Sequence, residues 1–183
     1  MTDTGAEYYH RFLQGDRPAI EELVRMYGDS LTRFAYCFVK DASAAEDIMA
    51  DTFATLLVKR KKLNGGALFK TYLYRIARNK AIDFLRAHKR IVPLDDLEAV
   101  LCCGSVEHDL SEQEQTETLY RCMQSLPPQY KDVLYLHYID GFTVAELCDI
   151  LKKNPKQVYN LLARAKPALK EILIKEGVSY EIR

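Results

Sequence analysis

Apolar residues recur every three or four positions along most of this chain, which is the period of an α-helix buried on one side. Residues 7–40 fit two such helices with a break near Gly15. Asp16 is the expected N-cap of the second helix, and Pro18 falls in its first turn. No segment up to residue 90 alternates polar and apolar residues as a half-buried strand would, so this part of the chain predicts a compact helical unit.

A further amphipathic helix is predicted over residues 43–62, where Ser43 and Glu46 have the spacing of a capping box. Its expected buried residues are Ile48, Phe53, Leu56 and Leu57. The opposite side carries Asp47 and Asp51 near its start. From charge alone, these acids are explained by the favourable interaction of carboxylates with a helix N-terminus.

The next helix, predicted over residues 69–90 after an Asn-Gly-Gly turn, is strongly basic and contains no Gly or Pro. One side is apolar, with Phe69, Leu73, Ala77, Ala81 and Phe84 at helical spacing. A second stripe consists of Tyr72, Arg75, Asn79, Ile82, Arg86 and Lys89. Cations neutralise phosphates, an amide can recognise a base edge, and an aromatic ring can stack on an unpaired base. The alternative for this stripe is an ordinary solvated basic face.

Beyond residue 111 the helical period returns and ends in a helix-turn-helix pattern. Ser111 and Glu114 predict a capping box for a helix to Ser125, and Pro127-Pro128 separates it from a helix that Gly141 ends. In that helix the residues expected to pack inward are Val133, Leu134, Leu136 and Tyr138. A short helix over residues 144–151 follows, with Thr143 and Glu146 as its capping box.

The last predicted helix begins after a three-residue turn, with Asn154 as N-cap, Pro155 at the first position and Gln157 at the third. Two short helices joined in this way are typical of a DNA-binding unit whose second helix enters the major groove. The alternative is a plain helical hairpin with a polar outer face. Its expected outward residues are Lys156, Gln157, Tyr159, Asn160, Arg164 and Lys166. Amides at these positions can pair with adenine, and the cations can bind phosphate or guanine. Pro167 predicts a kink near Ala163.

The charge is zero overall but unevenly distributed. Residues 69–90 hold seven Lys and Arg against one acid, residues 152–175 hold the same numbers, and residues 91–119 hold eight acids and no Lys or Arg. Two basic segments separated by an acidic one predict two nucleic-acid surfaces joined by a connector that DNA repels. The expected fold is therefore all-α, with helical domains at residues 1–90 and 112–183 and an acidic linker at 91–111.

Other classes of function find less support in the sequence. There is no nucleophile–base pair, phosphate-binding loop or metal-ligand cluster, and the four histidines are isolated, so we expect neither an enzyme nor a cofactor. The five cysteines form no CxxC pair. No cation flanks Cys102-Cys103, which favours two incidental thiols over the alternative of a redox switch. No secretory signal or long apolar run is present, which predicts a cytoplasmic protein without membrane insertion.

These residues together resemble a known family, the bacterial extracytoplasmic-function (ECF) sigma factors of RNA polymerase. The resemblance covers nearly the whole chain. The matching words are Gln14-Gly15-Asp16, Ala45-Glu46-Asp47-Ile48 with Phe53, the run 72–79 (YLYRIARN) with Asp83 and Arg86, Leu126-Pro127, and the region 141–169. Tyr72 stands where the family usually has Trp, and Leu161 stands where it frequently has Arg.

The resemblance implies core RNA polymerase and promoter DNA as partners. Such proteins are often held by an anti-sigma factor, which is therefore a candidate partner. It implies that Asp47 and Asp51 contact polymerase, which takes precedence over the helix-dipole explanation. It implies that the basic helix opens the minus-ten element through Tyr72, Arg75, Arg78, Asn79, Arg86, Lys89 and Arg90. The last helix would recognise the minus-thirty-five element, and the acidic linker would thread through polymerase. A stand-alone helix-turn-helix regulator remains the alternative.

Overall fold

A computed structural model describes residues 4–63, 67–89 and 110–176 of the protein, with the backbone alone for residues 67, 68, 89 and 110–116. These residues form helices and no strand, which confirms the all-α prediction. The helices are α1 (Thr4–Leu13), α2 (Ala19–Val39), α3 (Ala42–Lys59), α4 (Ala67–Lys89), α5 (Leu110–Gln124), α6 (Pro128–Leu134), a π-helical turn (Tyr135–Ile139), α7 (Val144–Leu151) and α8 (Pro155–Lys175). We refer to α1–α4 as the N-terminal half and to α5–α8 as the C-terminal half.

In the N-terminal half, α2 packs against α1, α3 and α4 because each helix turns an apolar stripe inward. On α4 four of the five residues predicted for the core stripe, Phe69, Leu73, Ala77 and Ala81, are fully buried, and the fifth, Phe84, is half-buried against the core. Ile48, Phe53 and Leu56 on α3 are buried as predicted. Leu57 was expected to join them and instead is 41% exposed.

Two predicted helix starts were wrong. Helix α3 is capped by Asp41, whose extended backbone places Oδ1 to accept a hydrogen bond from the Ala44 N–H at 2.8 Å, so Ser43 lies inside the helix. Helix α2 follows Pro18 without a side-chain cap. Asp16 pairs instead with the Arg11 guanidinium at 2.6 Å. At both helix starts more than one nearby polar residue could act as the N-cap. The path of the backbone before the helix decides which of them does.

A π-helical turn follows α6 and changes which residues face the core. The Asp140 N–H donates to the carbonyl oxygen of Tyr135, five residues earlier, at 3.1 Å. The wider turn shifts the helical register, so Tyr135 is fully buried while Tyr138 is 48% exposed. The prediction that Tyr138 packs inward was therefore wrong, whereas those for Val133, Leu134 and Leu136 are confirmed.

The two halves pack against each other and share one hydrophobic core. Phe34 of α2 meets Tyr135 with ring centroids 5.4 Å apart, and Tyr74 of α4 meets Phe142 at 5.0 Å. The Lys131 ammonium is buried and donates to the carbonyl oxygen of Cys37 at 3.2 Å, near the C-terminal end of α2. Carbonyls in the last turn of a helix lack intrahelical partners, so this cation stabilises the end of α2.

Several predictions concern residues that the structure does not describe. They are most of the linker with Cys102-Cys103, the turn at residues 64–66, and Arg90. The side chains of Lys89, Ser111 and Glu114 are likewise outside the description.

Asp140 lies between the halves and should make the stability of this fold depend on pH. Burial raises the pKa of its carboxyl to about 6, although the charges of Lys70 and Arg33 oppose the shift. Because the folded-state pKa is raised, protonation stabilises the fold, and this contribution is lost as the pH rises through about 6. We expect Asp140→Asn to raise the free energy of unfolding at pH 7 by about 1–2 kcal/mol, allowing for partial exposure.

The gain should shrink at pH 5, where the parental carboxyl is mostly protonated. Urea unfolding at both pH values measures it. Asp149→Asn, which neutralises an exposed acid on α7, is the control and should give no such pH-dependent gain. A gain for Asp140→Asn that is the same at pH 5 and pH 7 would contradict the assignment.

Candidate nucleic-acid and polymerase interfaces

Helix α4 presents a polar face beside its buried stripe. Asn79 and Arg86 are exposed, and Arg75 is half-buried. The Arg86 guanidinium is 3.5 Å from the Asp83 carboxylate, and both side chains are about three-quarters exposed, so this pair leaves the cation accessible to a phosphate. The predicted nucleic-acid stripe therefore has an accessible amide flanked by accessible cations.

Tyr72 is the buried member of the stripe, with 7% of its surface exposed. The Arg75 guanidinium lies 5.3 Å from the centre of its ring, and the Lys61 ammonium lies at 5.6 Å. Cations over an aromatic face are attracted by its negative potential. Stacking of this ring on a base therefore requires the two cations to leave it, and both would then be free to bind the adjacent phosphates.

Arg78 is held by the C-terminal half. Its Nε and Nη2 donate to Oδ2 of Asp132 at 2.9 and 2.7 Å. The Arg78 side chain is 18% exposed and that of Asp132 only 1%. Burial raises the pKa of Asp132, and the hydrogen bond and charge of Arg78 oppose that shift. Of the predicted DNA-contacting cations whose side chains are described, Arg78 is the one engaged across the two halves.

The helix-turn-helix forms as predicted from its caps. Thr143 and Glu146 make a reciprocal capping box at the start of α7. Lys152 ends α7 in the left-handed region with φ of 52°, which turns the chain toward α8. Asn154 Oδ1 then accepts from the Gln157 N–H at 2.9 Å, and Gln157 Oε1 accepts from the Asn154 N–H at 3.0 Å. Helix α8 continues past Pro167 to Lys175, so that proline does not end it.

The outer face of α8 is available for a ligand. Exposed residues on it are Lys156, Gln157, Tyr159, Asn160 and Arg164. Because the Gln157 side-chain oxygen is used in the cap, only its NH₂ group is free, whereas pairing with adenine uses both a donor and an acceptor. Asn160 has no such commitment in the described structure and is the stronger candidate for recognising adenine.

Lys166 belongs to a different surface from the other predicted residues of α8. Its ammonium lies 6.0 Å from the centre of the Tyr138 ring. It borders an apolar groove between α5, the π-helical turn and α8, lined by Leu119, Met123, Leu134, Tyr138, Ile139, Leu169 and Leu173. On the side of α8 that carries Gln157 and Asn160, Lys153 and Gln129 lie beside these two residues in one shallow cleft. Sequence analysis passed over these two residues, although a cation in the turn of a helix-turn-helix was a usable signal for Lys153.

Helix α3 carries the acidic surface. Asp47 and Asp51 are exposed, and Asp51 is 3.2 Å from the Lys80 ammonium of α4. Val58, 83% exposed, follows Asp47 and Asp51 at helical spacing, and Leu57 lies beside it. An apolar side chain on the polar side of an amphipathic helix is the signal that sequence analysis missed. Acids and exposed apolar residues on one face suit a protein partner better than a solvated surface.

The described residues contain no group of His, Cys, Asp and Glu side chains that could hold a metal ion. Cys37 and Cys122 are buried, and burial raises the pKa of the Cys37 thiol to about 12, which disfavours the reactive thiolate. Among the helices described, none has the length and apolar character needed to cross a membrane.

Comparison with known proteins gives two family matches. The model for Sigma-70 region 2 matches residues 23–91, and the model for Sigma-70, region 4 matches residues 116–169. The ECF RNA polymerase sigma factor SigM of Bacillus subtilis (strain 168) is 31% identical over 163 residues, covering 88% of this chain and 99% of SigM. SigW of the same strain is 28% identical over 171 residues, covering 87% of this chain and 91% of SigW.

Solved structures show the same fold at low identity. CnrH, in complex with the cytosolic domain of CnrY, has a TM-score of 0.70 at 20% identity and covers 92% of this chain and 96% of its own. The sigma factor RpoE of Bartonella quintana, in complex with the anti-sigma factor NepR, has a TM-score of 0.69 at 21% identity. The match covers 84% of this chain and 95% of the RpoE chain.

Proposed function

The chain belongs to the ECF sigma factors of RNA polymerase, and we propose that three of its surfaces divide the work of the family among α3, α4 and α8. As a sigma factor it binds polymerase and promoter DNA and directs transcription initiation. In our proposal α3 docks on core polymerase, α4 captures the opened minus-ten element, and α8 recognises the minus-thirty-five duplex. This assignment is supported by one observation. Each of the three helices exposes a residue suited to its proposed role, namely Asp47 on α3, Asn79 on α4 and Asn160 on α8.

The α4 surface combines what strand capture requires. Unstacking a base costs a few kcal/mol, which contacts to the flipped base and its phosphates must offset. Asn79 offers a donor and an acceptor to a base edge, Arg75 and Arg86 offer cations to the backbone, and Tyr72 offers a ring once its cations move to phosphate. In the sequence, Lys89 and Arg90 extend the basic run beyond Arg86.

The α8 surface suits a major groove. Helix N-termini favour phosphate through their free N–H groups and dipole, and Lys156 adds a cation there. Asn160, one turn later, has the donor and acceptor that adenine requires, and Arg164, one turn further, can reach guanine or phosphate. Tyr159 offers an exposed ring to thymine methyl groups or the backbone. Lys166 would bind only the flanking phosphate.

Polymerase binding is assigned to α3 and is testable by charge reversal. We expect Asp47→Arg combined with Asp51→Arg to weaken binding to core polymerase about tenfold or more, because both acids are exposed on a face with Val58. Affinity for fluorescently labelled core measures this, and circular dichroism checks that the variant remains helical. Glu21→Arg with Asp29→Arg, two exposed acids of α2, is the matched control. Equal affinity of the two double variants would refute the α3 assignment.

Run-off transcription tests the proposal as a whole. Purified chain with core polymerase should produce defined transcripts from genomic fragments, and core alone should not. A gel shift with the same fragments distinguishes the stand-alone regulator, which would bind tightly without core. Absence of both transcripts and core binding would overturn the proposal.

Two further aspects follow from the family rather than from a site. We infer that the chain works in the cytoplasm, where polymerase acts, and that it has no catalysis of its own because the chemistry belongs to polymerase. We also infer a protein partner of the anti-sigma class. The sigma factor RpoE, similar in fold, was solved with such a partner, and exposed apolar residues such as Val58 and Ile174 are candidate contacts.

A further inference from the structure

The C-terminal half covers one stripe of the promoter-opening helix. Lys70, Tyr74 and Arg78 follow one another at spacings of four along α4, and each is engaged from across the interface. Lys70 Nζ donates to the carbonyl oxygen of Asp140 at 2.8 Å and lies 4.4 Å from the centre of the Phe142 ring. Tyr74 packs on that same ring, and Arg78 is bound by Asp132. Both cations of the stripe are therefore occupied by groups of the C-terminal half.

The Arg78–Asp132 pair has the chemistry of a phosphate contact. Two guanidinium N–H groups converge on one carboxylate oxygen at 2.7 and 2.9 Å. Arginine offers the same donors to a phosphate oxygen, so the carboxylate and a DNA phosphate are alternative ligands. Bound in this way, Arg78 cannot neutralise a promoter phosphate.

The closed arrangement is also incompatible with binding both promoter elements. A compact chain of this length has a radius of gyration of about 16 Å, so it is roughly 40 Å across. Elements centred about 25 base pairs apart lie about 85 Å apart along straight B-DNA at 3.4 Å per pair. The halves must therefore separate before α4 and α8 occupy their elements together, and separation breaks the Arg78–Asp132 pair.

The interface is built in a way that favours release. Three buried polar atoms have no hydrogen-bond partner among the described residues, namely Asp132 Oδ1, Tyr135 Oη and Asp140 Oδ2. All three lie on the C-terminal half where it meets α2 and α4. Burial also lowers the pKa of Lys131 to about 8, since the charged ammonium is costly to desolvate. Opening returns these groups to water, which offsets part of the apolar contact that is lost.

We propose that Asp132 is an internal competitor of promoter DNA, which holds Arg78 and keeps the free chain closed until polymerase separates the halves. This inference rests on the proposed role of α4 in binding the promoter. The free chain should accordingly bind minus-ten DNA weakly, and release of Arg78 should strengthen that binding without any change in the DNA-contacting residues themselves.

The first test neutralises Asp132 in the full chain. Asp132→Asn should bind a forked minus-ten DNA about tenfold more tightly than the parent in the absence of polymerase, because a charged ligand of Arg78 is gone. Fluorescence anisotropy measures this affinity. Asp149→Asn removes the same charge from an exposed position on α7 and controls for general repulsion of DNA. Equal gains in the two variants would overturn the proposal.

A second test keeps the proposal falsifiable if Asp132→Asn folds poorly. Asp132→Arg places two guanidinium groups together and should raise the radius of gyration, measured by small-angle scattering, above the parental value. Arg78→Asp added to Asp132→Arg restores an ion pair with reversed polarity and should restore compactness. The proposal that the Arg78–Asp132 pair keeps the halves together would be overturned by either of two results. One is a single variant as compact as the parent, and the other is a double variant as expanded as the single variant.

The role of Arg78 in binding DNA can be measured apart from its contact with Asp132 in an assay where polymerase has already separated the two halves. With core polymerase present, Arg78→Ala should lower promoter opening, whereas Asp132→Asn should leave it at the parental level. Normal opening by Arg78→Ala would overturn the competition for this cation and the proposed DNA role of Arg78. The scattering experiment contains no DNA, so it would still report on the contact between the halves.

Discussion

Tyr135→Ala is expected to lower the free energy of unfolding by about 3–5 kcal/mol, whereas Tyr138→Ala should cost about 1 kcal/mol or less. The two residues are three positions apart and chemically identical, but the π-helical turn places them differently. Tyr135 is fully buried between Phe34 and Tyr120, with ring centroids 5.4 and 6.2 Å away. Its truncation leaves a cavity where the halves meet, while Tyr138 is 48% exposed at the border of an open groove, so its truncation leaves no enclosed cavity.

Urea unfolding followed by circular dichroism measures both losses. Tyr135→Phe is the matched control, since it keeps the ring and removes a buried hydroxyl that has no hydrogen-bond partner in the described residues. That variant should be as stable as the parent or slightly more stable. A larger loss for Tyr138→Ala than for Tyr135→Ala would mean that α6 continues as a regular α-helix, with the register predicted from sequence.

Asn79→Ala is expected to reduce promoter opening by polymerase about tenfold, because a base-edge contact contributes about 1–3 kcal/mol. Core binding should be unchanged, since Asn79 is exposed on α4, whereas polymerase binding is assigned to Asp47 and Asp51 of α3. Permanganate reactivity of unpaired thymines measures opening, and holoenzyme assembly measures core binding. Equal loss in both assays would count against a role in strand capture.

Asn160→Ala is the reciprocal control, since Asn160 is an exposed asparagine on α8, the helix proposed to recognise duplex DNA. It should weaken binding to duplex minus-thirty-five DNA by a similar factor. On a template with a premelted minus-ten bubble, the Asn79→Ala defect should shrink, because the unpairing cost no longer has to be offset. The Asn160→Ala defect should persist on that template. If instead the Asn160→Ala defect shrank and the Asn79→Ala defect persisted, α8 rather than α4 would be the helix that captures the opened strand.

Much of the fold follows from short-range patterns. The capping boxes at Thr143 and Asn154 were predicted residue by residue because each depends on groups three positions apart, whatever surrounds them. The buried stripe of α4 was predicted because helical period alone decides which residues share a side. The outward residues of α8, except Lys166, follow from the same geometry.

Where sequence reasoning failed, a choice among equivalent residues or a distant contact was involved. Asp41 and Ser43 are both good N-caps, and the path of the chain after α2 selects Asp41. Tyr135 and Tyr138 are equally apolar, and a single wide turn selects which is buried. Leu57 was assigned to the core because it lies at the edge of the apolar stripe. Residue type and spacing do not show whether a residue in that position is buried or exposed.

The sequence by itself determined that the chain is helical, that its two most basic segments coincide with the regions of α4 and α8, and that its family is the ECF sigma factors, because these depend on residue type and local spacing. Tertiary structure alone decided that Arg78 is bound by Asp132, 54 residues away, and that Tyr72 lies beneath Arg75 and Lys61. A cation on a helix surface looks the same in sequence whether it faces DNA or a carboxylate. Only the packing of the two halves brings that carboxylate within reach and excludes water from the pair.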